Sequence, residues 1–415
     1  MPIALIGGLA MKVLIYKWKV FNQEDIAKAF FDYGYEVIEY EEPSVFLDEA
    51  KGLKFHDNNE LTNIIKGVDM VFSFNYFAHI SDICNKLGII YISYTVDSPL
   101  ISLYHNSIYN SCNYIFVFDK FFYYQLKELD LKNLYYLPLA VNAKRIEKQL
   151  KNAGLADTLE IKDYKYDLSF VGGMYHRNSY DKIKSRLDKD LQEYFKEVLK
   201  EQLFTPGMDI IDNSLSVELL EKLLEITEFK QSEGSFSDLF TVFSNTFLGF
   251  KLANMERVVT LNALGAALKD YGASIDLFTD DYDERIEEVR VHDVVDYKEE
   301  MPKIFRQSKI NLNISLRNIR TGIPLRVWDV LGSGGFLLTN KQIELKDYFK
   351  LDEEIVCFET IDEAVTKSLY YLEHEKQRKE IARAGFEKVK KYHSYRARVE
   401  TILDIISGNA HNQEL

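Results

Sequence analysis

At 415 residues the chain exceeds what one hydrophobic core usually supports, so we expect two domains. Acidic residues outnumber basic ones by 65 to 51, which gives a formal net charge of -14. This balance argues against a general nucleic-acid binder, whose affinity would rest on a basic surface.

The cysteine content and the apolar runs indicate in which compartment the protein works and whether it binds a metal. Cys84, Cys112 and Cys357 lack the paired spacing of a metal or redox motif, so we interpret them as structural thiols in a reducing compartment and predict no metal site. No apolar run approaches the roughly 20 residues that span a bilayer, and we expect a cytoplasmic protein. Met11 reads like a natural start, and we interpret residues 1–10 as added or as an alternative start.

The first half of the chain alternates strand and helix patterns, as a parallel α/β sheet does. Predicted strands cover residues 13–16, 37–40, 69–74, 89–94, 114–118 and 134–137, and predicted helices cover 24–33, 80–87 and 143–155. No glycine-rich turn follows the first strand, so a nicotinamide cofactor is not expected in this half.

Polar residues follow three of these strands, at Asn75, Asp97 and Asp119. Because the carboxyl ends of parallel strands meet at one edge of a sheet, we predict that the three line one wall of a cleft. Asp97 is the candidate general base, and its alternative role is to cap the turn before Pro99. His105 is the competing base, although a single histidine is more often structural, and Asp119 has the alternative role of capping the next helix.

The second half begins after a polar stretch at 157–165, which we predict to be the domain linker. The strand 167–171 ends in Gly172 and Gly173, whose missing Cβ atoms allow a close backbone approach to a ligand, and Arg177 follows within reach of a phosphate. Residues 178–271 exceed what a crossover needs and show helical spacing at 191–203, 217–229 and 254–269. We interpret them as an insertion that contacts a substrate or a partner subunit, or as a structural layer.

A strand at 273–278, a short segment at 294–297 and a helix at 300–307 lead to the most informative stretch. There, a predicted strand at 310–315 delivers the chain to a polar loop, and Pro324 begins a helix at 325–331. Glycines, including Gly334 and Gly335, then turn the chain into a strand at 336–339. We predict that the strand end, the helix N-terminus and the glycine turn surround one space that suits a diphosphate, with Arg320 and Arg326 beside it and Asp329 available to ribose hydroxyls. The alternative is an ordinary βαβ unit with surface arginines.

The amino-acid sequence from Gly322 to Asn340, GIPLRVWDVLGSGGFLLTN, resembles the CgeB-like family of GT-B glycosyltransferases. The segments VDSP at 96–99 and LPLA at 137–140 and the predicted closing helices at 376–392 and 396–406 are similar to that family as well. The resemblance implies two Rossmann-like domains that face each other across a cleft. Residues 11–155 would form the acceptor domain, 166–395 the donor domain with a helical insertion at about 178–270, and 396–415 a terminal helix that crosses back.

The resemblance also implies an activity. A sugar, of the hexosyl or N-acetylhexosaminyl class, would move from a nucleotide-diphosphate sugar, expected to be UDP-linked, to a protein or glycan acceptor near Asn75 and Asp119. Tyr297 falls where such enzymes hold the base, and Asp329 matches the second of two acidic positions, whereas the first is Thr321. We expect no cofactor and no metal, because Arg177, Arg326 and the helix N-terminus can stabilise the leaving diphosphate. An epimerase or hydrolase on the same fold and a non-catalytic sugar-nucleotide or glycan-binding protein are the alternatives, and a homo-oligomer is left open.

Overall fold

The computed structural model describes residues 5–6, 9–42, 46–48, 52–54, 58–205, 207 and 209–409. Its strands are β1 (Leu5–Ile6), β2 (Leu9–Ala10), β3 (Lys12–Lys17), β4 (Glu36–Glu41), β5 (Phe46–Asp48), β6 (Gly52–Lys54), β7 (Met70–Phe74), β8 (Ile90–Tyr94), β9 (Asn113–Val117), β10 (Leu134–Tyr136), β11 (Tyr166–Val171), β12 (Ile275–Phe278), β13 (Arg290–His292), β14 (Ser308–Asn313), β15 (Leu337–Asn340) and β16 (Val356–Phe358).

Helices connect most of these strands. They are α1 (Gln23–Asp32), α2 (Asn58–Ile65), α3 (Ala78–Leu87), α4 (Lys120–Lys127), α5 (Ala143–Asn152), α6 (Ser179–Ile183), α7 (Lys189–Phe204), α8 (Ile210–Ser214), α9 (Val217–Thr227), α10 (Leu239–Val242), α11 (Phe250–Tyr271), α12 (Met301–Gln307), α13 (Leu325–Gly332), α14 (Leu345–Tyr348), α15 (Ile361–Glu373), α16 (Glu375–Tyr392) and α17 (Tyr395–Ile406). A π-helical segment, Phe243–Gly249, joins α10 to α11.

Two six-stranded sheets organise the chain. The first has the order β10-β9-β8-β7-β3-β4 and the second β13-β12-β11-β14-β15-β16, with every neighbouring pair parallel. All five residues of the central strand β7 are buried, as expected for a parallel strand with helices on both faces of its sheet. The predicted α/β architecture with two parallel halves is confirmed.

The structure has one edge strand that the sequence pattern did not indicate. This strand, Arg290–His292, precedes the short segment 294–297 and pairs with β12 through the partners Asp276 and Arg290. Val294 is 64% exposed, so its apolar character reflects a surface position and not a buried strand. Tyr297 therefore lies in the loop before α12.

The predicted helical region after β11 has its own core. Phe195 and Leu199 of α7 pack there with Leu223 of α9 and with Phe247 and Leu248 of the π-helical segment. A loop of this insertion also reaches the first half of the chain, where the Asn106 amide donates to the Gly234 carbonyl at 2.9 Å and the Phe236 amide donates to the Tyr104 carbonyl at 2.9 Å. The insertion thus touches both halves.

The two halves share a packed interface. One hydrophobic cluster includes Ile15 and Phe72 from the first sheet together with Trp328 and Leu337 from the second half. The last helix, α17, contributes Arg398, whose guanidinium donates to the carbonyls of residues 138 and 139 at 2.6 and 3.0 Å. The chain therefore returns to the first half at its C-terminal end.

Candidate functional site

The loops at the carboxyl ends of the two sheets meet face to face. The loop between β14 and α13 presses against the start of α4, so that a Cβ on Gly322 would lie 2.9 Å from the Asp119 Cα. Only glycine fits such a close approach of two backbones. On the other side, the loop between β3 and α1 contacts Tyr297 of the second half.

Asp119 holds these loops together. Its carboxylate is fully buried and accepts hydrogen bonds from the Phe121 amide at 3.0 Å, the Ser98 hydroxyl at 2.9 Å and the Arg320 amide at 2.9 Å. It also caps the N-terminus of α4, which is the alternative role that we predicted for Asp119. Because both oxygens are engaged, Asp119 has no oxygen free for an acceptor, which corrects its expected place on the acceptor side.

Thr321 lies between two buried carboxyl groups. Its hydroxyl oxygen is 2.7 Å from an oxygen of Asp119 and 2.7 Å from an oxygen of Glu344. A hydroxyl has one proton to donate, so one of the two carboxyl groups must supply the second proton. Burial raises the pKa of Glu344, which favours the protonated form of that carboxyl. Thr321 is therefore committed to the interface, which corrects its expected role in donor binding.

Arg320 is also committed to structure. Its guanidinium pairs with Asp209 at 2.7 Å and with Asp212 at 2.6 Å, both at the start of α8 in the insertion, and it lies over the Phe121 ring. The ion pairs hold the insertion against the loop. This corrects the expectation that Arg320 faces a diphosphate.

Gly334 and Gly335 lie at the wrong end of α13 for ligand binding. The helix has eight residues, about 12 Å at 1.5 Å per residue, and it carries the chain from the site to the opposite edge of the sheet. There, a Cβ on Gly334 would lie 2.6 Å from the Thr158 hydroxyl, and a Cβ on Gly335 would lie 2.6 Å from the Asn311 amide. The two glycines allow close packing against the linker and the sheet, which corrects their assignment to the donor site.

The other predicted glycine turn opens to space. A Cβ on Gly172 would touch only the Phe170 ring and Arg257 beyond 3.5 Å, and a Cβ on Gly173 would meet nothing within 4 Å. The Gly173 carbonyl accepts a hydrogen bond from Arg257 of α11. Arg177 is 82% exposed and lies 3.8 Å from the Asp281 carboxylate, and its contact with a phosphate stays a prediction.

Arg257 lies beside this turn, although the sequence analysis did not predict it as a site residue. It is 8% exposed, donates to the Ile314 carbonyl at 2.9 Å and lies over the Tyr175 ring at 4.6 Å. Within the described part of the chain, no carboxylate forms an ion pair with it. Burial lowers the pKa of Arg257, although Tyr175 and Glu256 oppose the decrease. A buried cation therefore lies behind Gly173.

Arg326 and Asp329 follow on the first two turns of α13. Arg326 contacts Met301 and lies 3.7 Å from the Asp329 carboxylate. Burial raises the pKa of Asp329 to about 6, although the charge of Arg326 and the Tyr297 hydroxyl oppose the rise. Asp329 accepts a hydrogen bond from Tyr297 at 2.6 Å.

Tyr297 connects this group to the first half. Its hydroxyl accepts from the Asn22 amide at 2.8 Å, and its ring stacks on Phe21 with centroids 4.0 Å apart. The structure thus brings together three of the predicted site residues, Arg326, Asp329 and Tyr297. Their contact with a donor stays a prediction.

Asp97 lies at the edge of the first sheet. The side-chain amide of Asn75 donates to its carboxylate at 2.6 Å, while the Asn75 carbonyl oxygen accepts from the Val96 amide at 2.9 Å. Asp97 is exposed, yet desolvation raises the pKa of its carboxyl above the ordinary value. A raised pKa favours proton uptake by the Asp97 carboxylate, which is what a general base requires.

His105 does not share this setting. Its Nδ1 accepts from the Ser107 amide at 3.1 Å, and the tautomer that accepts there donates from Nε2 to the Glu233 carbonyl at 3.1 Å. Both ring nitrogens are engaged, Nε2 with the insertion loop and Nδ1 with Ser107 of the first half. This corrects the expectation that His105 is a free competing base.

Two further observations bear on the site. Among the described residues, no group of three or more His, Cys, Asp or Glu side chains converges as metal ligands do. No helix in the described ranges is long and apolar enough to cross a membrane.

Comparisons with known proteins agree with this architecture. Residues 257–404 match a family model described as glycosyl transferase-like, and no curated protein sequence matches the chain. An α-glucosyltransferase in complex with UDP and a DNA 13-mer has a TM-score of 0.52 and 11% identity, over 96% of this chain and 99% of that one. The chain has the GT-B glycosyltransferase fold.

Two more solved structures have the same fold. A UDP-forming α,α-trehalose-phosphate synthase from Burkholderia xenovorans has a TM-score of 0.52 and 8% identity, over 97% of this chain and 100% of that one. Sucrose-phosphate synthase from Thermosynechococcus elongatus has a TM-score of 0.50 and 8% identity, over 96% and 100%. Identities this low establish the GT-B fold of the chain and leave its substrates to be inferred from its own residues.

Proposed function

We propose that this protein is a glycosyltransferase that moves a sugar from a nucleoside-diphosphate sugar to a hydroxyl of a protein or glycan. The donor would lie on the second sheet, between Gly173 and the N-terminus of α13. We further propose a UDP-linked hexose or N-acetylhexosamine, since two of the similar structures have UDP in their descriptions. The resemblance to the CgeB-like family supports the same assignment.

The observation that carries the proposal is the positive charge behind Gly173. Arg257 is buried, forms no ion pair with a carboxylate in the described ranges and donates to the Gly173 carbonyl, while Arg326 lies at the start of α13 with part of its side chain exposed. Such an arrangement is unfavourable when empty and becomes favourable when a dianion enters. Arg326 has 24% of its side chain exposed and can reach the ligand, whereas Arg257 positions the Gly173 turn and adds charge from behind.

The leaving diphosphate must be stabilised for transfer to occur. Arg326 and the unpaired first amides of α13 supply positive charge at the phosphates, and Gly173 offers space for close approach. We propose that Asp329 accepts from ribose hydroxyls when the donor binds. Since these groups carry the charge themselves, we expect turnover to persist in the presence of a chelator, and metal-dependent activity would contradict this scheme.

Asp97 is the proposed general base on the acceptor side. Its raised pKa brings proton affinity closer to neutral pH, and the Asn75 amide fixes one carboxylate oxygen. The other oxygen is left to receive the proton of the acceptor hydroxyl. Thr321 occupies the first of the two positions that are acidic in retaining GT-B enzymes, and its hydroxyl is engaged by Asp119 and Glu344.

A panel of nucleotide sugars tests the proposal. A donor that binds only the folded state raises the thermal midpoint, which identifies the base and the sugar. Turnover of that donor is then followed with and without hydroxyl acceptors. A transferase needs the acceptor, an epimerase or hydrolase converts the donor alone, and a non-catalytic binding protein shifts the midpoint without turnover. The last two outcomes would refute the proposal.

A further inference from the structure

A second recess is lined by residues other than those of the proposed donor site. It has a volume of about 470 Å³ and separates α5 from the segment that leads into α12. Volumes of this size are typical of sites for small ligands. Its walls carry Arg145, Lys148 and Gln149 on one side and Lys298, Glu299 and Lys303 on the other.

The charge of this recess is opposite to that of the protein. Four cationic side chains and one carboxylate line it, in a chain that carries 51 basic and 65 acidic residues. Arg145 is neutralised by Asp25 at 2.9 Å, and Lys298 pairs with Glu24. Lys148 and Lys303 form no ion pair with any carboxylate in the described part of the chain. Two positive charges are therefore left for a ligand.

The walls are held in position without a ligand. Positions 145, 148 and 149 lie on one face of α5, because residues three and four apart in a helix are neighbours. The Gln149 amide donates to the Lys298 carbonyl at 2.7 Å and to the Glu299 carboxylate at 3.1 Å, which ties α5 to the opposite wall. The spacing of the cations is thus set by the fold.

We propose that this recess binds a small soluble molecule with two or more phosphate groups, at a site separate from the donor site. Lys148 and Lys303 contact the phosphates, and Arg145 adds positive charge from the floor. The segment that carries Lys298 also carries Tyr297, so a ligand here lies next to the proposed donor site without sharing its arginines. This inference stands independently of the proposed transferase activity.

Calorimetric titration with inorganic pyrophosphate tests the proposal. The native protein is expected to bind two equivalents. The double variant Lys148→Glu, Lys303→Glu is expected to lose one of them, with an affinity drop of roughly tenfold or more from reversing two charges at the ligand. Arg326→Ala is expected to lose the other one.

A charge-matched control is the double variant Lys66→Glu, Lys86→Glu, which changes two exposed lysines of the first half by the same net charge. It should keep both equivalents, and unchanged thermal midpoints would show that all variants fold. A native protein without a site sensitive to Lys148 and Lys303, or an equal loss in the control, would overturn the proposal. Absence of only the Arg326-sensitive site would count against the proposed transferase and leave the recess supported.

Discussion

Replacement of Asp119 by asparagine should destabilise the interface between the two halves. The fully buried carboxylate accepts from Ser98 and Arg320 at one oxygen and from Phe121 and Thr321 at the other. Asparagine retains one acceptor oxygen and turns an NH₂ group toward the second set of donors. At least one backbone amide then faces another donor.

The cost follows from that count. A hydrogen bond to a charged acceptor contributes about 1.5–3 kcal/mol, and a buried donor without a partner costs about 1–3 kcal/mol. The loss of one such bond and one donor left unpaired predict that Asp119→Asn lowers the free energy of unfolding by about 2.5–6 kcal/mol. Thr321→Val, which removes one hydroxyl from the same group, should cost about 1–2 kcal/mol.

Urea unfolding followed by tryptophan fluorescence measures this effect, because Trp328 lies buried in the second half near the interface. Asp293→Asn, at an exposed position, is the matched control and should change stability by less than about 0.5 kcal/mol. A change below about 1 kcal/mol for Asp119→Asn would refute the assignment of Asp119 as the residue that fastens the loops.

Three further predictions concern the site. Gly173→Ala should leave stability unchanged, since its Cβ would meet nothing within 4 Å, and should weaken nucleotide binding. Gly334→Ala, with a φ of 70° and a Cβ 2.6 Å from Thr158, should lower the thermal midpoint and leave nucleotide affinity unchanged. The reverse pattern would restore Gly334 to the site. Asp97→Asn should keep donor affinity and reduce transfer by on the order of a hundredfold, because an amide cannot take the proton, and near-normal transfer would exclude Asp97 as the base. The pKa of Asp329 is raised to about 6, so the carboxyl stabilises the folded state below its ordinary pKa near 4, and this contribution is lost as the pH rises through about 6. Asp329→Asn should therefore flatten the dependence of stability on pH between about pH 4 and 6. An unchanged pH dependence would contradict the raised pKa.

Most of the fold was predictable because its signals are local. The buried strands read as apolar runs, and helices such as α3 end at a glycine in the left-handed conformation, Gly88 with a φ of 69°. The edge strand β13 was missed because Arg290–His292 is short and has no buried apolar run. Its pairing with β12 is a long-range contact, which a local pattern does not contain.

The site was predictable only in part. Arg326 and Asp329 fall on the exposed start and the buried face of a helix whose N-terminus the sequence indicates. The ion pairs of Arg320 with Asp209 and Asp212 join residues more than 100 positions apart, so Arg320 looked available when it is not. The length of α13 alone would have placed Gly334 away from the site.

Arg257 left one signal in the sequence. It occupies the buried face of α11, in register with Leu261, Leu264 and Leu268. An arginine in a row of buried leucines must be paired or functional, since burying an unpaired charge is costly. The helical spacing of these four residues is therefore enough to mark Arg257 as a candidate.

The central claim is that a nucleoside diphosphate binds beside Arg326 on the second half. Calorimetric titration of UDP into the native protein and into Arg326→Ala tests it most directly, with Arg396→Ala, an exposed arginine of α17, as the control. The loss of a charged hydrogen bond to the diphosphate should weaken binding about 10- to 150-fold in Arg326→Ala and leave the control unchanged. Equal UDP affinity in all three proteins would contradict the claim.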